Sequence, residues 1–281
     1  MMSPFVRKKV IDRAVTVACV LATLVALVPL VSVLAYVTAQ GAAGLSATFF
    51  TGLPKPVGEP GGGMANAIVG SLVVVGIACA IGIPLGVAAG VYVSELGGGR
   101  FAKLVRFAAD VLGGVPSIVV GIFVYALVVV RTKHFSAWAG GLALAVIMLP
   151  TIVRTTEELL RLVPASLREA ALALGVPRWK TTIFVVLRTA APGIATGVML
   201  AVARVAGETA PLLFTAFNNR FWAESLGDPT ATLPVQIFTY SVSPYDDWQR
   251  QAWAGALTLV VLVLVLNLVA KIVIQRRVRS R

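Results

Sequence analysis

Residues 154–188 read RTTEELLRLVPASLREAALALGVPRWKTTIFVVLR, a charged interval between two long apolar runs. The interval holds six basic and three acidic side chains, which are expensive inside a bilayer, so we expect it in water against one membrane face. Residues 164–174 predict a short helix with Pro164 in its first turn and Gly175 just past its end. Such a helix is about 16 Å long, too short to cross a membrane, and instead offers a small surface to a soluble partner.

The composition is that of a membrane protein. Of 281 residues, 58% are hydrophobic and 13% are charged, and the mean hydropathy is +0.90. These values exclude an ordinary soluble globular domain. The two cysteines, Cys19 and Cys79, lie inside apolar runs, and His134 is the single histidine. We therefore predict no disulfide framework, no metal site and no catalytic residues.

Six apolar runs are long enough to cross a bilayer. They predict an all-α integral membrane fold with six transmembrane helices, at residues 14–39, 67–93, 111–130, 135–153, 189–217 and 252–270. The intervening sequence predicts a Gly- and Pro-rich loop at 41–65, a short charged turn around Arg100, Lys103 and Arg106, and a polar loop at 218–250. A secretory signal peptide is the competing interpretation of the first run, but that run is too long for one.

Basic residues predict the orientation. The side of the termini carries 18 of them and the opposite side carries 5, so the positive-inside rule predicts that both termini and residues 154–188 are cytoplasmic. The net charge of +12 is thus a topology signal, and we expect no nucleic acid partner. We predict a cytoplasmic tail at 1–13, a single transmembrane domain at 14–274, and a basic cytoplasmic tail at 275–281.

Charged residues interrupt the fifth run. Arg204 and Glu208 are four residues apart, which predicts that they share a helix face near its centre. They are either a structural pair that neutralises itself or part of a water-lined path, which Gly207 and Pro211 would suit. A guanidinium is well shaped for bidentate contact with a tetrahedral oxyanion. We hypothesise that Arg204 attracts an anion and Glu208 tunes or selects it; a membrane-embedded acid/base site using Glu208 is the alternative.

The charged interval resembles a known family motif. Its pattern E-A-A, three residues, G, nine residues, V-V-L is similar to the EAA loop of permease subunits of ATP-binding-cassette (ABC) importers, with Val185 in place of isoleucine and Arg188 in place of proline. The resemblance implies contact with a cytoplasmic ATPase through Glu169, Ala170, Ala171 and Gly175. The chain has no G-x-x-x-x-G-K-[ST] loop, so ATP would be used by that partner, and we expect no cofactor bound by this chain.

Two further stretches resemble the phosphate-specific branch of that family, its A-type permeases. They are ARVAGETAPLLFTA at 203–216 and GGVPSIVVG at 113–121. The resemblance implies the type I importer permease fold, a bacterial plasma (inner) membrane location with several crossings in membrane lipid, and an inorganic phosphate path that includes Arg204, Glu208, Thr209 and Ser117.

The resemblance also implies partners. These are a homologous second permease that forms a heterodimer with this chain, two copies of a cytoplasmic ABC ATPase, and an extracytoplasmic phosphate-binding protein. Two other functions stay open: a permease for another oxyanion, such as sulfate or molybdate, and a membrane channel or scaffold without ATP coupling.

Overall fold

A computed structural model describes residues 4–59 and 61–279, which are helical almost throughout. Residues 1–3 and 280–281 of the two predicted tails, and Pro60 of the predicted loop, lie outside the described residues. The helices are α1 (Pro4–Gly44), α2 (Ala47–Thr51), α3 (Ala65–Val91), α4 (Arg100–Gly114), α5 (Ser117–Val124), α6 (Val130–Thr132), α7 (Ala137–Arg161), α8 (Ala165–Ala173), α9 (Arg178–Lys180), α10 (Leu187–Ala206), α11 (Ala210–Leu213), α12 (Leu233–Ser241) and α13 (Asp246–Arg279). Three π-helical turns extend α3, join α5 to α6 and join α9 to α10, at Tyr92–Leu96, Tyr125–Val129 and Thr181–Val186.

Five helices in the described part of the chain are long and apolar enough to cross a membrane, and one bent pair supplies a sixth crossing. The five are Ile11–Gly44, Ala65–Leu96, Ala137–Arg161, Arg178–Ala206 and Asp246–Ile272. These segments confirm the all-α class with six crossings. The cytoplasmic location of the termini and the division into two tails and one domain stay predictions.

The third crossing differs from its prediction. Residues 111–130 do not form one helix, and residues 100–106 are not a turn: α4 runs from Arg100 to Gly114, and the helix that follows, Ser117–Thr132, is bent from it by 107°. The break lies at Val115 and Pro116, whose backbones are extended with ψ of 130° and 135°. Proline removes a backbone donor and pushes its preceding residue away from helical geometry, so the apolar run is cut in two.

Two predicted boundaries were wrong because helices extend into segments that contain charged or polar residues. Helix α7 continues through Arg154 to Arg161 instead of ending at residue 153. The predicted polar loop at 218–250 contains α12 and the first turn of α13. Helix α12 is fixed to the start of α3 by the Leu233 N–H, which donates to Ser71 Oγ at 2.7 Å. Asp246 and Asp247 occupy the first turn of α13, where negative charge is favourable.

Close packing of α3 on α7 forms the centre of the bundle. Gly82, Gly86 and Gly90 follow one another at four-residue spacing on one face of α3. A Cβ atom on them would lie 2.8 Å from Met148 Cγ, 2.7 Å from Ile152 Cγ2 and 2.5 Å from Thr156 Cβ, respectively. Small residues let the two helices approach this closely, which is the usual way for transmembrane helices to gain packing contacts.

Candidate functional site

The two stretches that resemble phosphate permeases meet in space. Gly121 of the first stretch packs on Pro211 of the second, so closely that a Cβ on Gly121 would lie 2.5 Å from Pro211 Cα. Ser117 lies one turn before Gly121 on the same side of α5, because residues i and i+4 share a helix face. Ser117 is half-buried and begins α5, directly after the bend at Pro116. The bend therefore brings Ser117 to the region of α11.

Arg204 lies in the last turn of α10, not at the centre of a helix. Its side chain is exposed and forms no ion pair or side-chain hydrogen bond within the described residues. Sixteen residues separate it from Arg188, about 24 Å of helix at roughly 1.5 Å per residue. Arg204 is thus close to the end of the fifth crossing that lies away from α8, and the helix C-terminus favours its positive charge.

Glu208 does not share a helix with Arg204. Helix α10 ends at Ala206, Gly207 follows as its C-cap, and Thr209 precedes α11. Glycine disfavours helix continuation, and Pro211 cannot donate to a preceding turn, so the chain changes direction between these residues. Glu208 and Thr209 are half-buried in that connection. The predicted self-neutralising pair is therefore absent from the described structure, and the Arg204 charge has no neighbouring carboxylate bound to it.

The predicted short helix is confirmed as α8. It begins after Pro164 and ends in a Schellman motif, in which the Val176 N–H donates to Ala171 O at 3.1 Å and the Gly175 N–H donates to Leu172 O at 2.9 Å. Gly175 has φ +78°, a left-handed conformation that costs glycine little. Only Ala171 of α8 is buried, and Glu169 and Ala170 are exposed.

Large apolar side chains surround α8 on the protein surface. Leu162 is 76% exposed, Leu174 is 84% exposed and Trp179 is 58% exposed. Leu162 precedes α8, Leu174 caps its end and Trp179 follows it in the sequence, and Glu169 of α8 is exposed as well. An apolar cluster with a charged edge is typical of a surface that binds another protein. We call the set Leu162, Glu169, Leu174 and Trp179 the α8 surface.

Arg168, on α8 itself, was missed by the sequence reasoning. Its guanidinium donates to Glu95 Oε1 at 2.8 Å and to Glu95 Oε2 at 3.3 Å. It also donates to the backbone oxygens of Leu160, at 2.8 Å, and Val163, at 2.6 Å. One side chain therefore joins α8 to the end of α7 and to the turn that ends the second crossing. The sequence did contain a signal for an ion pair, since Glu95 is a single acidic residue at the end of an apolar run.

A second group of charges, around Glu157, was also missed. Glu157 is 3% exposed and accepts from Arg106 Nε at 2.6 Å, and Arg161 Nη2 lies 2.5 Å from the same oxygen. Arg106 additionally donates to Val93 O at 2.8 Å. Arg154 pairs with Asp110 and lies 3.7 Å from Glu157 Oε2. These bonds tie α4 to α7 and to the end of the second crossing. Within the described residues, no group of acidic, histidine or cysteine side chains has the arrangement of a metal site.

Comparisons with known proteins give the chain its family. The model of the family described as "Binding-protein-dependent transport system inner membrane component" matches residues 82–279. The chain is 48% identical to the phosphate transport system permease protein PstA of Yersinia pestis over 239 residues, covering 85% of this chain and 81% of that protein. It is 45% identical to PstA of Xylella fastidiosa strain Temecula1, covering 96% of this chain and 94% of that protein.

A solved structure supports the fold. The bacterial alginate ABC transporter in complex with its pentasaccharide-bound periplasmic protein contains a chain that matches with a TM-score of 0.65 at 13% identity. The match covers 97% of this chain and 96% of that one. This match establishes the importer permease fold. The chain belongs to the PstA family of binding-protein-dependent transport system inner membrane components.

Proposed function

We propose that this chain is a permease subunit of an ATP-driven importer of inorganic phosphate and forms half of its translocation path. The observation that carries the proposal is Arg204, an exposed arginine without a bound carboxylate near one end of a membrane crossing. A fixed guanidinium attracts and orients a tetrahedral oxyanion through paired N–H donors. The named relatives, which are phosphate transport system permeases, support phosphate as that anion.

Glu208 and Thr209 provide selection in this proposal. Phosphate at neutral pH still carries an O–H group, which can donate a hydrogen bond to a carboxylate. Sulfate has no such donor and is repelled by the negative charge of the carboxylate. Thr209 and Ser117 carry hydroxyls that both donate and accept. The Gly121–Pro211 contact holds the two stretches together, so the path runs beside the bend between α4 and α5.

The partners follow from surfaces that this chain leaves open. A homologous second permease completes the path by covering the exposed side of Arg204 and Gly207. Two copies of a cytoplasmic ABC ATPase act on the complex, one of them at the α8 surface, where Leu174 and Trp179 would fill an apolar groove. An extracytoplasmic phosphate-binding protein delivers the anion at the opposite end. Hydrolysis of ATP in the partner then drives alternating access.

The test is phosphate uptake by the whole complex reconstituted in proteoliposomes. The variant Arg204→Ala is expected to lower uptake about tenfold or more, the value of a hydrogen-bonded charge lost from the path. Arg204→Lys keeps the charge without the bidentate geometry, so its phosphate uptake should lie between that of the wild type and that of Arg204→Ala. Arg131→Ala is the matched control, since Arg131 is an exposed arginine in α6, at the end of the third crossing.

Each other outcome identifies an alternative. Wild-type uptake by a normally assembled Arg204→Ala complex would contradict the role of Arg204. Competition by sulfate or molybdate as strong as competition by phosphate would favour another oxyanion as substrate. Phosphate movement that continues when ATP hydrolysis is blocked would favour a channel without ATP coupling. Glu208→Gln is expected to weaken the preference for phosphate over sulfate in the same competition assay.

A further inference from the structure

The second crossing and α8 are far apart in the sequence, yet the side chain of one α8 residue bonds to the end of that crossing. Along the chain, α8 follows α7 after Leu162–Val163–Pro164 and is followed by the fifth crossing. Its own packing is chiefly on Thr181–Val186, the π-helical turn within that fifth crossing. Movement applied to α8 would therefore reach the fourth and fifth crossings directly. It would reach the second crossing through the packing of α3 on α7 and, at the end of that crossing, also through a side-chain contact.

Arg168 provides that contact. Four donor contacts leave its guanidinium, two to the Glu95 carboxylate and two to carbonyl oxygens at the end of α7. The Glu95 side chain is 11% exposed and that of Arg168 is 25% exposed, so water screens the pair only in part. A planar guanidinium with several bonds holds its orientation better than a flexible single-point ion pair.

The surroundings of this contact are rigid. Leu160, whose carbonyl accepts from Arg168, is fully buried in an apolar cluster with Val186 and Ile194. Val91, one residue before the π-helical turn of the second crossing, packs against the same cluster. Within that turn, Val93 O accepts from Arg106 Nη2 at 2.8 Å. The turn that carries Glu95 is thus held by an apolar contact and by a hydrogen bond, and a force on Glu95 moves the helix end and not only a side chain.

We propose that Arg168 is a positioning residue that transmits the movement of α8 to the second membrane crossing through Glu95. This inference rests on the proposed function, because it requires an ATPase that moves α8. The Arg168–Glu95 pair then makes the second crossing move together with the fourth and fifth. Without the pair, the end of the second crossing is no longer tied to α8 and follows it less fully, so ATP is hydrolysed without a full opening of the path.

The experiment measures phosphate imported per ATP hydrolysed, in the reconstituted complex with its partner permease, ATPase and binding protein. Arg168→Ala and Glu95→Ala are each expected to lower this ratio at least about fivefold, the lower end of typical coupling between sites. ATP hydrolysis itself should stay within about twofold of wild type. Because both residues act through one contact, the double variant should be no worse than the worse single variant. Lys103→Gln is the control, an exposed cation on α4 without an ion pair in the described structure.

The outcomes separate the two proposals. A wild-type complex that shows no ATP-dependent phosphate uptake would overturn the proposed function. A working wild-type complex whose Arg168→Ala variant keeps the normal ratio would overturn the role of Arg168 alone, as would effects that multiply in the double variant. If Arg168→Ala does not assemble, Glu95→Gln answers the same question. It keeps the shape and an acceptor oxygen but removes the charge, and an unchanged ratio in that variant also refutes the inference.

Discussion

The buried carboxylate of Glu157 gives the most direct test of how the charged helix ends are stabilised. Replacement by glutamine keeps the side-chain shape and one acceptor oxygen but removes the negative charge. The bond from Arg106 Nε at 2.6 Å then loses the negative charge of its acceptor. The new amide nitrogen also takes a place near Arg154 Nη1, which lies 3.7 Å from the present Glu157 Oε2, so two donors face each other.

The expected loss of stability follows from exposure. Arg161 is 59% exposed, so its pair with Glu157 contributes little, below about 1 kcal/mol. Arg106 is 25% exposed and its partner carboxylate 3%, so this bond falls in the range of about 1.5–3 kcal/mol for hydrogen bonds to charged groups. Glutamine keeps an acceptor for the Arg106 cation but removes the ion pair, and the unfavourable donor contact adds to the loss. We expect Glu157→Gln to cost about 2 kcal/mol, or a melting temperature roughly 4–8 °C lower.

The assay is thermal unfolding of the purified chain in detergent, followed by the fluorescence of its five tryptophans at a fixed scan rate. Glu158→Gln is the matched control, because Glu158 is the next residue in sequence, is acidic, and is exposed. Its melting temperature should move by less than about 2 °C, as is usual for a surface substitution. The difference between the two variants should persist at high salt, since buried pairs are weakly screened. Equal melting temperatures for the two variants would refute the stabilising role of Glu157.

Two glycine substitutions test the packing of the site. Gly121→Ala places a Cβ 2.5 Å from Pro211 Cα, so it should lower the stability of the protein by about 1–3 kcal/mol and reduce phosphate uptake. Gly76→Ala is the control, because no atom lies within 4 Å of the new Cβ, and it should leave both the melting temperature and the uptake unchanged. Gly175→Ala forces a side chain into φ +78° at a cost of about 1–2 kcal/mol. It should weaken co-purification of the ATPase, while Gly175→Asn should weaken it less; wild-type recovery with alanine would contradict the importance of this turn.

Local signals explain why α8 could be predicted. Proline at the start, glycine at the end and apolar residues at helical spacing all lie within twelve residues, 164–175, and each acts on its own neighbours. The six apolar runs are local in the same sense. The apolar run 111–130 misled because average hydropathy passes over Pro116. The spacing of Phe101, Leu104 and Phe107 between basic residues was a signal for an amphipathic helix in place of the predicted turn.

Long-range side-chain contacts could not be predicted in this way. Arg106 and Glu157 are 51 residues apart, and Glu95 and Arg168 are 73 residues apart. No periodicity or spacing within one segment specifies such pairs, because they depend on how whole helices pack. The same limit applies to Gly121 and Pro211, whose stretches were recognised separately. Arg204 and Glu208 were assigned to one helix because their spacing is helical, but Gly207 and Pro211 end that helix first.

The arginines differ in the groups that their side chains contact, and these contacts indicate different roles that a count of charges does not distinguish. Arg106 and Arg168 each bond to a carboxylate and to backbone oxygens at helix ends, so their charge is used in holding helices against one another. Arg204 has no bound carboxylate within the described part of the chain, and the next acidic residue, Glu208, is held apart by the end of α10. An arginine that attracts an anion needs a charge that no carboxylate neutralises. An arginine that holds helices together, in contrast, uses its charge to bind a carboxylate. The break at Gly207 ends the helix before Glu208 and prevents the pairing that a continuous helix would have favoured, which in the proposed path leaves the Arg204 charge available to an anion.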